Sequence, residues 1–198
     1  MIVLTANEKK MLRHLATTKQ DHSINQLASA LKITPNGAYK ILKKLEVEKI
    51  IEAKQIANLK SYKLNFSNEK TENVLALAFM GEAHQKRVEE RIKDFQKLKD
   101  VTTVCLFFGS YITEKQKPND LDFLIVMEKN QFKNYKKVLN DVRDITPIKI
   151  HDVIQTEEDL INNLNSGDLL IITTIKEGVV IWGWNTLVKV IKQWQMIN

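Results

Sequence analysis

The sequence predicts an α+β protein of two modules, a helical N-terminal module that ends in a β-hairpin and a C-terminal mixed sheet flanked by helices. Residues 1–66 contain three helix starts followed by two strand-like segments. Two short apolar runs in the second half of the chain indicate buried strands. Residues 1–66 hold 12 lysines and arginines against 5 acidic residues, whereas residues 67–198 hold 18 against 19. This uneven charge predicts two modules with different binding partners.

The cysteine content and the apolar runs limit the class of protein. Cys105 is the only cysteine, which excludes an intrachain disulfide framework and any metal site built from several thiolates. No apolar run approaches the roughly 18 residues that a membrane helix needs. The short apolar run at residues 2–4 lacks the length of a signal peptide. We therefore expect a cytoplasmic protein with no membrane partner.

Hydroxyl side chains at capping positions predict three helices in the N-terminal module. The caps are Thr5, Ser23 and Thr34. Glutamate or glutamine stands three residues after each of the first two caps, as in a capping box, and proline directly follows the third. The third helix should extend to about Lys49, with apolar side chains along one face. Its opposite face is polar and basic and consists of Asn36, Tyr39, Lys40, Lys43 and Lys44.

Residues 51–56 and 59–64 have strand-like composition around an Ala57-Asn58 turn and predict a β-hairpin. Its basic side chains are Lys54, Lys60 and Lys63. Three helices followed by a basic hairpin resemble the winged helix-turn-helix family over residues 5–66. The resemblance implies that the third helix enters the major groove of duplex DNA while the hairpin contacts the backbone. The basic and polar residues just named on the helix and the hairpin are then the DNA contacts.

A solvated surface is the alternative interpretation of the lysines on the third helix. Runs of charge usually face water without binding a partner. Tyr39 could equally pack on the first helix. The surplus of basic residues in residues 1–66, together with the three caps and the hairpin, favours nucleic-acid binding over this alternative.

Residues 67–99 form the predicted helical connector between residues 1–66 and 100–198. The segment lacks proline from residue 69 onward and contains one glycine, Gly81, at which the helix could break. An apolar stripe begins near Val74 and resumes after a polar stretch, a pattern that suits either a bridge between two domains or a dimer contact. His84 lies in the polar stretch without a partner at metal-ligand spacing, so we expect a surface histidine.

Two carboxylates stand at the start of a predicted strand in the C-terminal module. The apolar run 104–108 ends at Gly109-Ser110, and after a loop Asp120-Leu121-Asp122 leads into a second apolar run. Because alternate residues of a strand share a face, Asp120 and Asp122 should project together, about 7 Å apart. Turn chemistry alone is the alternative, since glycine and aspartate often flank strands.

This pattern resembles the nucleotidyltransferase family related to DNA polymerase beta, in particular its minimal branch. Gly109, Ser110, Asp120 and Asp122 match the Gly-Ser and Asp-x-Asp positions of the family. A third family carboxylate lies on a later strand, where this chain has Asp152 beside His151. Strand alternation places that histidine on the other face from Asp152, and we assign it no role. The resemblance covers approximately residues 100–183, including the closing segment 176–183.

Some positions in the loop depart from the family pattern. The family commonly has small residues and glycine after Gly-Ser, and serine before the first aspartate. This chain has Ile112, Glu114 and Asn119 in that stretch, and its loop is about one residue short. Ser110 could therefore present a phosphate differently.

The resemblance implies metal-dependent transfer of a nucleoside monophosphate from a nucleoside triphosphate. Asp120, Asp122 and Asp152 would hold two Mg²⁺ ions about 3.5–4 Å apart, since hard cations take oxygen ligands. Gly109 lets a phosphate approach the backbone, and Ser110 offers an amide and a hydroxyl at the expected start of a helix. These residues would bind the triphosphate and support phosphoryl transfer.

Several functions remain open from the sequence. The first is a nucleotidyltransferase joined to a DNA-binding domain, with an unknown acceptor. The second is a transcriptional regulator whose nucleotidyltransferase domain binds nucleotide without turnover. The third, an antitoxin-like protein with a separate helical toxin-like partner, follows from the resemblance. A homodimer formed through the connector or the final helix is a further expectation, because winged-helix proteins commonly bind paired half-sites.

Overall fold

The computed structural model describes residues 3–56, 59–80, 86–113 and 118–197. The chain divides into two compact units. Unit 1 comprises Met1–Phe79 and Gln195–Asn198, and unit 2 comprises Met80–Trp194. Each unit has its own sheet among the described residues, and the predicted α+β class is confirmed.

Unit 1 begins with the three predicted helices. They are α1 (Ala6–Ala16), α2 (Ile24–Leu31) and α3 (Pro35–Val47). Thr5 and Ser23 form capping boxes with Glu8 and Gln26, so each cap satisfies backbone donors at both ends of the motif. The Thr34 hydroxyl accepts from the amide of the third residue of α3. The helix starts therefore follow from the cap chemistry, while α3 ends two residues before the expected position.

A three-stranded antiparallel sheet completes the helix-turn-helix-like region. Its strands are β1 (His22–Ser23), β2 (Ile51–Ile56) and β3 (Leu59–Leu64), in the order β1-β3-β2. The register pairs Ile51 with Leu64, as expected of the hairpin. The predicted turn residues Ala57 and Asn58 lie outside the described part of the chain.

The first half of the predicted connector belongs to unit 1. Helix α4 (Lys70–Phe79) contacts α1. The buried guanidinium of Arg13 donates to the carbonyls of Ala78 and Phe79, at 2.9 and 3.2 Å, and lies 5.2 Å from the centre of the Phe79 ring. Burial lowers the pKa of Arg13 to about 10. Arg13 thus caps the carbonyl end of α4, where the helix dipole favours a cation.

The second half of the predicted connector, α5 (Lys86–Phe95), belongs to unit 2. Gly81 and His84, singled out in the sequence, lie outside the described residues. The connector is therefore divided between the two units. The remaining elements of unit 2 are a 3₁₀ helix (Gln96–Asp100), β4 (Val104–Phe108), a 3₁₀ helix (Gly109–Ile112), β5 (Asp120–Val126), a 3₁₀ helix (Lys129–Gln131), α6 (Phe132–Ile145), β6 (Lys149–Gln155), α7 (Glu157–Ser166), α8 (Leu169–Glu177), β7 (Val179–Trp182) and α9 (Trp184–Met196), whose last two residues belong to unit 1.

The sheet of unit 2 is mixed and has the order β6-β5-β4-β7 among the described strands. Strands β5 and β6 are parallel, with α6 between them in the chain, whereas β4 is antiparallel to both β5 and β7. Phe95 of α5 packs edge-to-face on Phe107 and Phe123, each with ring centroids 4.8 Å apart. Buried residues of α5, α6, β4 and β5 form one core on this face of the sheet. The opposite face is contacted by α8 through β4.

Within the part of the chain that the structure describes, no helix is both long enough and apolar enough to cross a membrane.

The Glu8 carboxylate of α1 provides a test of the N-terminal packing. Burial raises the pKa of Glu8, but hydrogen bonds from Lys44 and Thr5 lower it more, and the pKa lies below its usual value. Replacing Glu8 with Gln should lower the free energy of unfolding by about 1–2 kcal/mol at neutral pH. Because the folded pKa is depressed, this contribution is present above the unfolded-state pKa and is lost as pH falls through the folded pKa.

Denaturant unfolding of wild type and Glu8→Gln across the acid range measures this effect. Glu46→Gln is the matched control, because it removes the partly exposed ion pair between Glu46 and Lys60 at 2.8 Å. An exposed ion pair contributes between about 0 and 1 kcal/mol. Equal losses in the two variants would contradict the role assigned to Glu8.

Candidate metal and nucleotide site

Three side chains converge at one edge of the mixed sheet. Asp120 and Asp122 share a face at the start of β5, and His151 lies on the neighbouring strand β6. The His151 Nδ1 atom is 3.4 Å from Asp122 Oδ1 and 3.6 Å from Asp120 Oδ2. One ligand atom from each residue lies within 4.8 Å of the other two. All three side chains are partly exposed, so a cation and its substrate can reach them from solvent.

The strand directions explain why these residues meet. In parallel strands the amino-terminal ends lie at the same edge, so the starts of β5 and β6 are adjacent. Strand β4 runs the other way, and its last residue, Phe108, pairs with Asp122. Gly109 therefore follows at the same edge and lies next to the Asp122 carboxylate.

Gly109 makes room for Asp122 by having no side chain. Its φ of +74° is in the left-handed region, which glycine adopts without strain. A Cβ atom at this position would lie 2.6 Å from Asp122 Oδ2. The present position of the Asp122 carboxylate therefore requires glycine at residue 109.

The Gly-Ser segment differs from the expected helix start. Residues Gly109–Ile112 form a single 3₁₀ turn, in which the Ser110 carbonyl accepts from the amide and the hydroxyl of Thr113. A turn this short has too few aligned peptides to supply a substantial helix dipole. Ser110 can donate hydrogen bonds from its own amide and hydroxyl to a phosphate, but no substantial helix dipole adds to this attraction. Glu114, one of the departures from the family pattern, lies outside the described residues.

Asp152, expected as the third carboxylate of the cage, faces the opposite side of the sheet. It pairs in register with Phe123, whereas its neighbour His151 pairs with Asp122. Adjacent residues of a strand point to opposite faces, so Asp152 cannot join Asp120 and Asp122 in this register. The expected convergence of the three aspartates is therefore corrected, and His151 takes the third position.

The carboxylate of Asp152 is held by α6. It accepts from the Tyr135 hydroxyl at 3.0 Å, from Lys136 Nζ at 3.0 Å and from Arg143 at 3.4 Å. Burial raises the pKa of Asp152, but the hydrogen bonds from Lys136 and Tyr135 lower it more, and the pKa lies below its usual value. Burial and the nearby carboxylate raise the pKa of Tyr135. This arrangement fixes β6 to α6.

The sequence assigns no role to His151, because the resemblance to the nucleotidyltransferase family implies a carboxylate as the third metal ligand. A signal was nevertheless present in the alternation of β6. Ile150, Asp152 and Ile154 share one face, on which two of three residues are apolar, while Lys149, His151, Val153 and Gln155 share the other, on which three of four are polar. A site that must admit a charged ligand belongs on the polar side.

A solvent-open groove of about 530 Å³ adjoins the site at the start of β6. Its lining includes His151 and two cationic side chains, Arg143 and Lys149. Lys149 pairs in register with Asp120 and shares its face of the sheet. Lys149 thus brings positive charge beside Asp120, whereas Arg143 pairs with Asp152 on the other face of the sheet.

The residues predicted to contact DNA lie in unit 1. Some of the lysines among them form ion pairs with acidic side chains in the part of the chain that the structure describes, and others do not. Asn36, Tyr39 and Lys40 are exposed on α3, and the Lys43 ammonium lies 6.0 Å from the Tyr39 ring centroid. The other α3 lysine, Lys44, is 2.7 Å from Glu8. On the hairpin, acidic partners are found for two lysines: Lys60 with Glu46 at 2.8 Å and Lys63 with Glu52 at 2.9 Å. Within the described ranges, no ion pair is found for Lys40, Lys43 or Lys54.

The site lies in a segment that is similar to a known family. Residues 89–186 match the model of the family described as Polymerase beta, Nucleotidyltransferase. A search of curated proteins finds no match. A mutant of Lactococcus lactis ZitR in apo form matches with 20% identity, covering 71% of this chain and 81% of that chain, at a TM-score of 0.32. This structural likeness is too low to support an argument. The family match supports a nucleotidyltransferase-type domain over residues 89–186.

The Gly109 position provides a direct test of the site geometry. Gly109→Ala should lose about 1 kcal/mol of stability from its positive φ. It should also displace the Asp122 carboxylate and abolish the rise in melting temperature caused by a divalent cation with a triphosphate. Gly167→Ala is the matched control, because Gly167 has the same φ of +74° with no atom within 4 Å of an added Cβ.

Thermal melts of both variants, with and without Mn²⁺ or Mg²⁺ and ATP, make the comparison. We expect similar melting temperatures without ligand and a ligand-induced rise in Gly167→Ala only. A full rise in Gly109→Ala would show that the site does not depend on the present position of Asp122.

Proposed function

We propose that this chain is a metal-dependent nucleotidyltransferase that transfers a nucleoside monophosphate from a nucleoside triphosphate to an acceptor. The observation that carries the proposal is the convergence of Asp120, Asp122 and His151 beside Gly109. These residues lie within the segment that matches the nucleotidyltransferase family. Two carboxylates and an imidazole form a donor set that fits a divalent cation.

The proposed reaction is a displacement at phosphorus. The acceptor oxygen forms a bond to the α-phosphorus, and the bond from that phosphorus to the bridging oxygen breaks. Pyrophosphate leaves with the electron pair, and the proton of the acceptor passes to solvent. A bound divalent cation would neutralise the charge that develops on the phosphate oxygens.

The residues of the chain position the reactants in this scheme. Asp120, Asp122 and His151 would hold the cation at the edge of the sheet. Gly109 lets the triphosphate approach the backbone, and Ser110 can donate its hydroxyl to a phosphate oxygen. The groove beside Lys149 supplies space and positive charge next to the site, where the leaving pyrophosphate or the acceptor would bind.

Asp122→Asn tests the metal-dependent binding of the triphosphate. In the absence of metal the change removes repulsion between two carboxylates and should leave the melting temperature unchanged or slightly higher. With a divalent cation and a triphosphate, wild type should gain stability in proportion to ligand saturation, about 2.7 kcal/mol at 100 times the dissociation constant. The variant should lose most of this gain.

Melts with Mg²⁺ or Mn²⁺ and each of the four triphosphates measure this effect. Asp141→Asn is the matched control, since Asp141 is exposed on α6, outside the Asp120–Asp122–His151 group. If wild type gains nothing from any triphosphate, or Asp122→Asn gains as much as wild type, the proposed metal site fails.

A labelled transfer assay separates the enzyme from a regulator that binds nucleotide without turnover. Incubation with α-labelled triphosphate should move label into a protein, RNA or small-molecule acceptor, whereas γ-labelled triphosphate should release labelled pyrophosphate. Binding without transfer over a panel of such acceptors would favour the regulator. A helical protein that copurifies with the chain would support the antitoxin-like role, and light scattering would test the proposed homodimer.

We also propose that unit 1 binds duplex DNA through the outer face of α3 and the hairpin. The observation that favours this function is that three of the lysines predicted to contact DNA have no acidic partner in the described part of unit 1: Lys40, Lys43 and Lys54. Exposed Asn36 and Tyr39 lie on the same helix as the first two. Cations that are not neutralised within the protein are available to phosphates, and their binding releases counterions from DNA.

The ion-pair pattern gives a prediction about individual lysines. Lys40→Ala should weaken binding to a duplex of any sequence and reduce the slope of log affinity against log salt by about 1. Lys60→Ala should have a smaller effect, because its ammonium already pairs with Glu46. Fluorescence anisotropy with the full chain at several salt concentrations measures both. Binding that is independent of salt, or equal losses in the two variants, would contradict the proposed surface.

A further inference from the structure

The third ligand of the candidate site is a nitrogen, although the family resemblance implies three carboxylates and magnesium. The polar edge of the sheet brings His151 to Asp120 and Asp122, while Asp152 is held on the other face by Tyr135, Lys136 and Arg143. The described residues thus gather two carboxylates and one imidazole at this edge.

The distances suit coordination of one ion by all three residues. Two ligand atoms about 2.1 Å from a common ion lie about 3.0–3.4 Å apart, depending on the angle between the bonds. The His151 Nδ1 atom is 3.4 and 3.6 Å from the nearest oxygens of Asp122 and Asp120. Both distances are within a few tenths of an ångström of that range, and the three ligand atoms all lie within 4.8 Å of one another. The side chains of His151 and Asp120 are 57% and 39% exposed, which leaves room for a small adjustment.

The nature of the donors decides which cation such a site prefers. Mg²⁺ takes oxygen ligands and retains several waters, so an imidazole contributes little to its binding. First-row transition ions accept imidazole nitrogen readily, and Mn²⁺ also binds carboxylate and phosphate oxygens. A mixed set of two carboxylates and one imidazole consequently favours Mn²⁺ over Mg²⁺ more strongly than three carboxylates would.

We propose that His151 is a metal ligand that gives this site a preference for Mn²⁺ over Mg²⁺. This inference rests on the proposed function, because it concerns the same cation site. It departs from the magnesium that the family resemblance implies, and it concerns a residue to which the sequence assigned no role. It also explains how the site can have three ligands although Asp152 is on the other side of the sheet.

His151→Asp is the decisive variant, because it replaces the imidazole with the carboxylate that the family pattern would place in the site. Mn²⁺ binding to the full chain is measured by the loss of the electron paramagnetic resonance signal of free Mn²⁺, and Mg²⁺ binding by competition. We expect the ratio of Mn²⁺ to Mg²⁺ affinity to fall about tenfold in His151→Asp. Pulsed measurements should show nitrogen coupled to Mn²⁺ in wild type and not in the variant.

His22→Asn is the matched control, since His22 belongs to unit 1 and is not a member of the Asp120–Asp122–His151 group. It should keep both the affinity ratio and the nitrogen coupling. If Mn²⁺ binds, Asp122→Asn abolishes that binding and no nitrogen is coupled in wild type, the role of His151 is overturned while the proposed metal site stands. If Mn²⁺ does not bind wild type at all, or binds Asp122→Asn equally well, the proposed metal site fails together with the inference.

Discussion

The parallel register between β5 and β6 is the constraint on which the candidate site depends. It pairs Asp122 with His151 on one face of the sheet and Phe123 with Asp152 on the other, which packs against α5 and α6. A slip of one residue would exchange the faces, placing the imidazole in the core and Asp152 at the site. The hydrogen bonds and ion pairs of Asp152 with α6 oppose this slip, because they hold the carboxylate on the core side. Asp152 therefore acts on the site by fixing the position of its neighbour.

The proposed binding site for the triphosphate lies at the edge of the sheet where this register brings the candidate ligands together. The end of β4 and the starts of β5 and β6 meet there, since β4 is antiparallel to β5 and β6 is parallel to it. Gly109 leaves the space that the Asp122 carboxylate occupies, and cationic side chains line the groove beside β6. The two carboxylates and the lysine that pairs in register with one of them thus lie side by side, which is the arrangement that the proposed phosphoryl transfer requires.

The features that the sequence predicts correctly depend on interactions between residues that are close together in the chain. The caps at Thr5, Ser23 and Thr34 determine the helix starts, and strand alternation correctly placed Asp120 and Asp122 on one face. The residue of β6 that pairs with Asp122 could not be predicted in this way, because the register between two strands is a tertiary property. The ion pair between Lys44 and Glu8 was equally hidden, since its residues lie 36 positions apart. The division of the connector between the units also depends on long-range packing, such as the contact of Arg13 with the end of α4.

We propose that Asp120, Asp122 and His151 together bind one divalent cation and a nucleoside triphosphate. Crystals of the full chain grown with Mn²⁺ and a nonhydrolysable triphosphate test this proposal, because anomalous scattering locates the manganese. We expect manganese between these three side chains, with the phosphates of the nucleotide next to Gly109 and Ser110. Manganese bound to Asp152 on the other face of the sheet, or a triphosphate bound away from this edge, would contradict it.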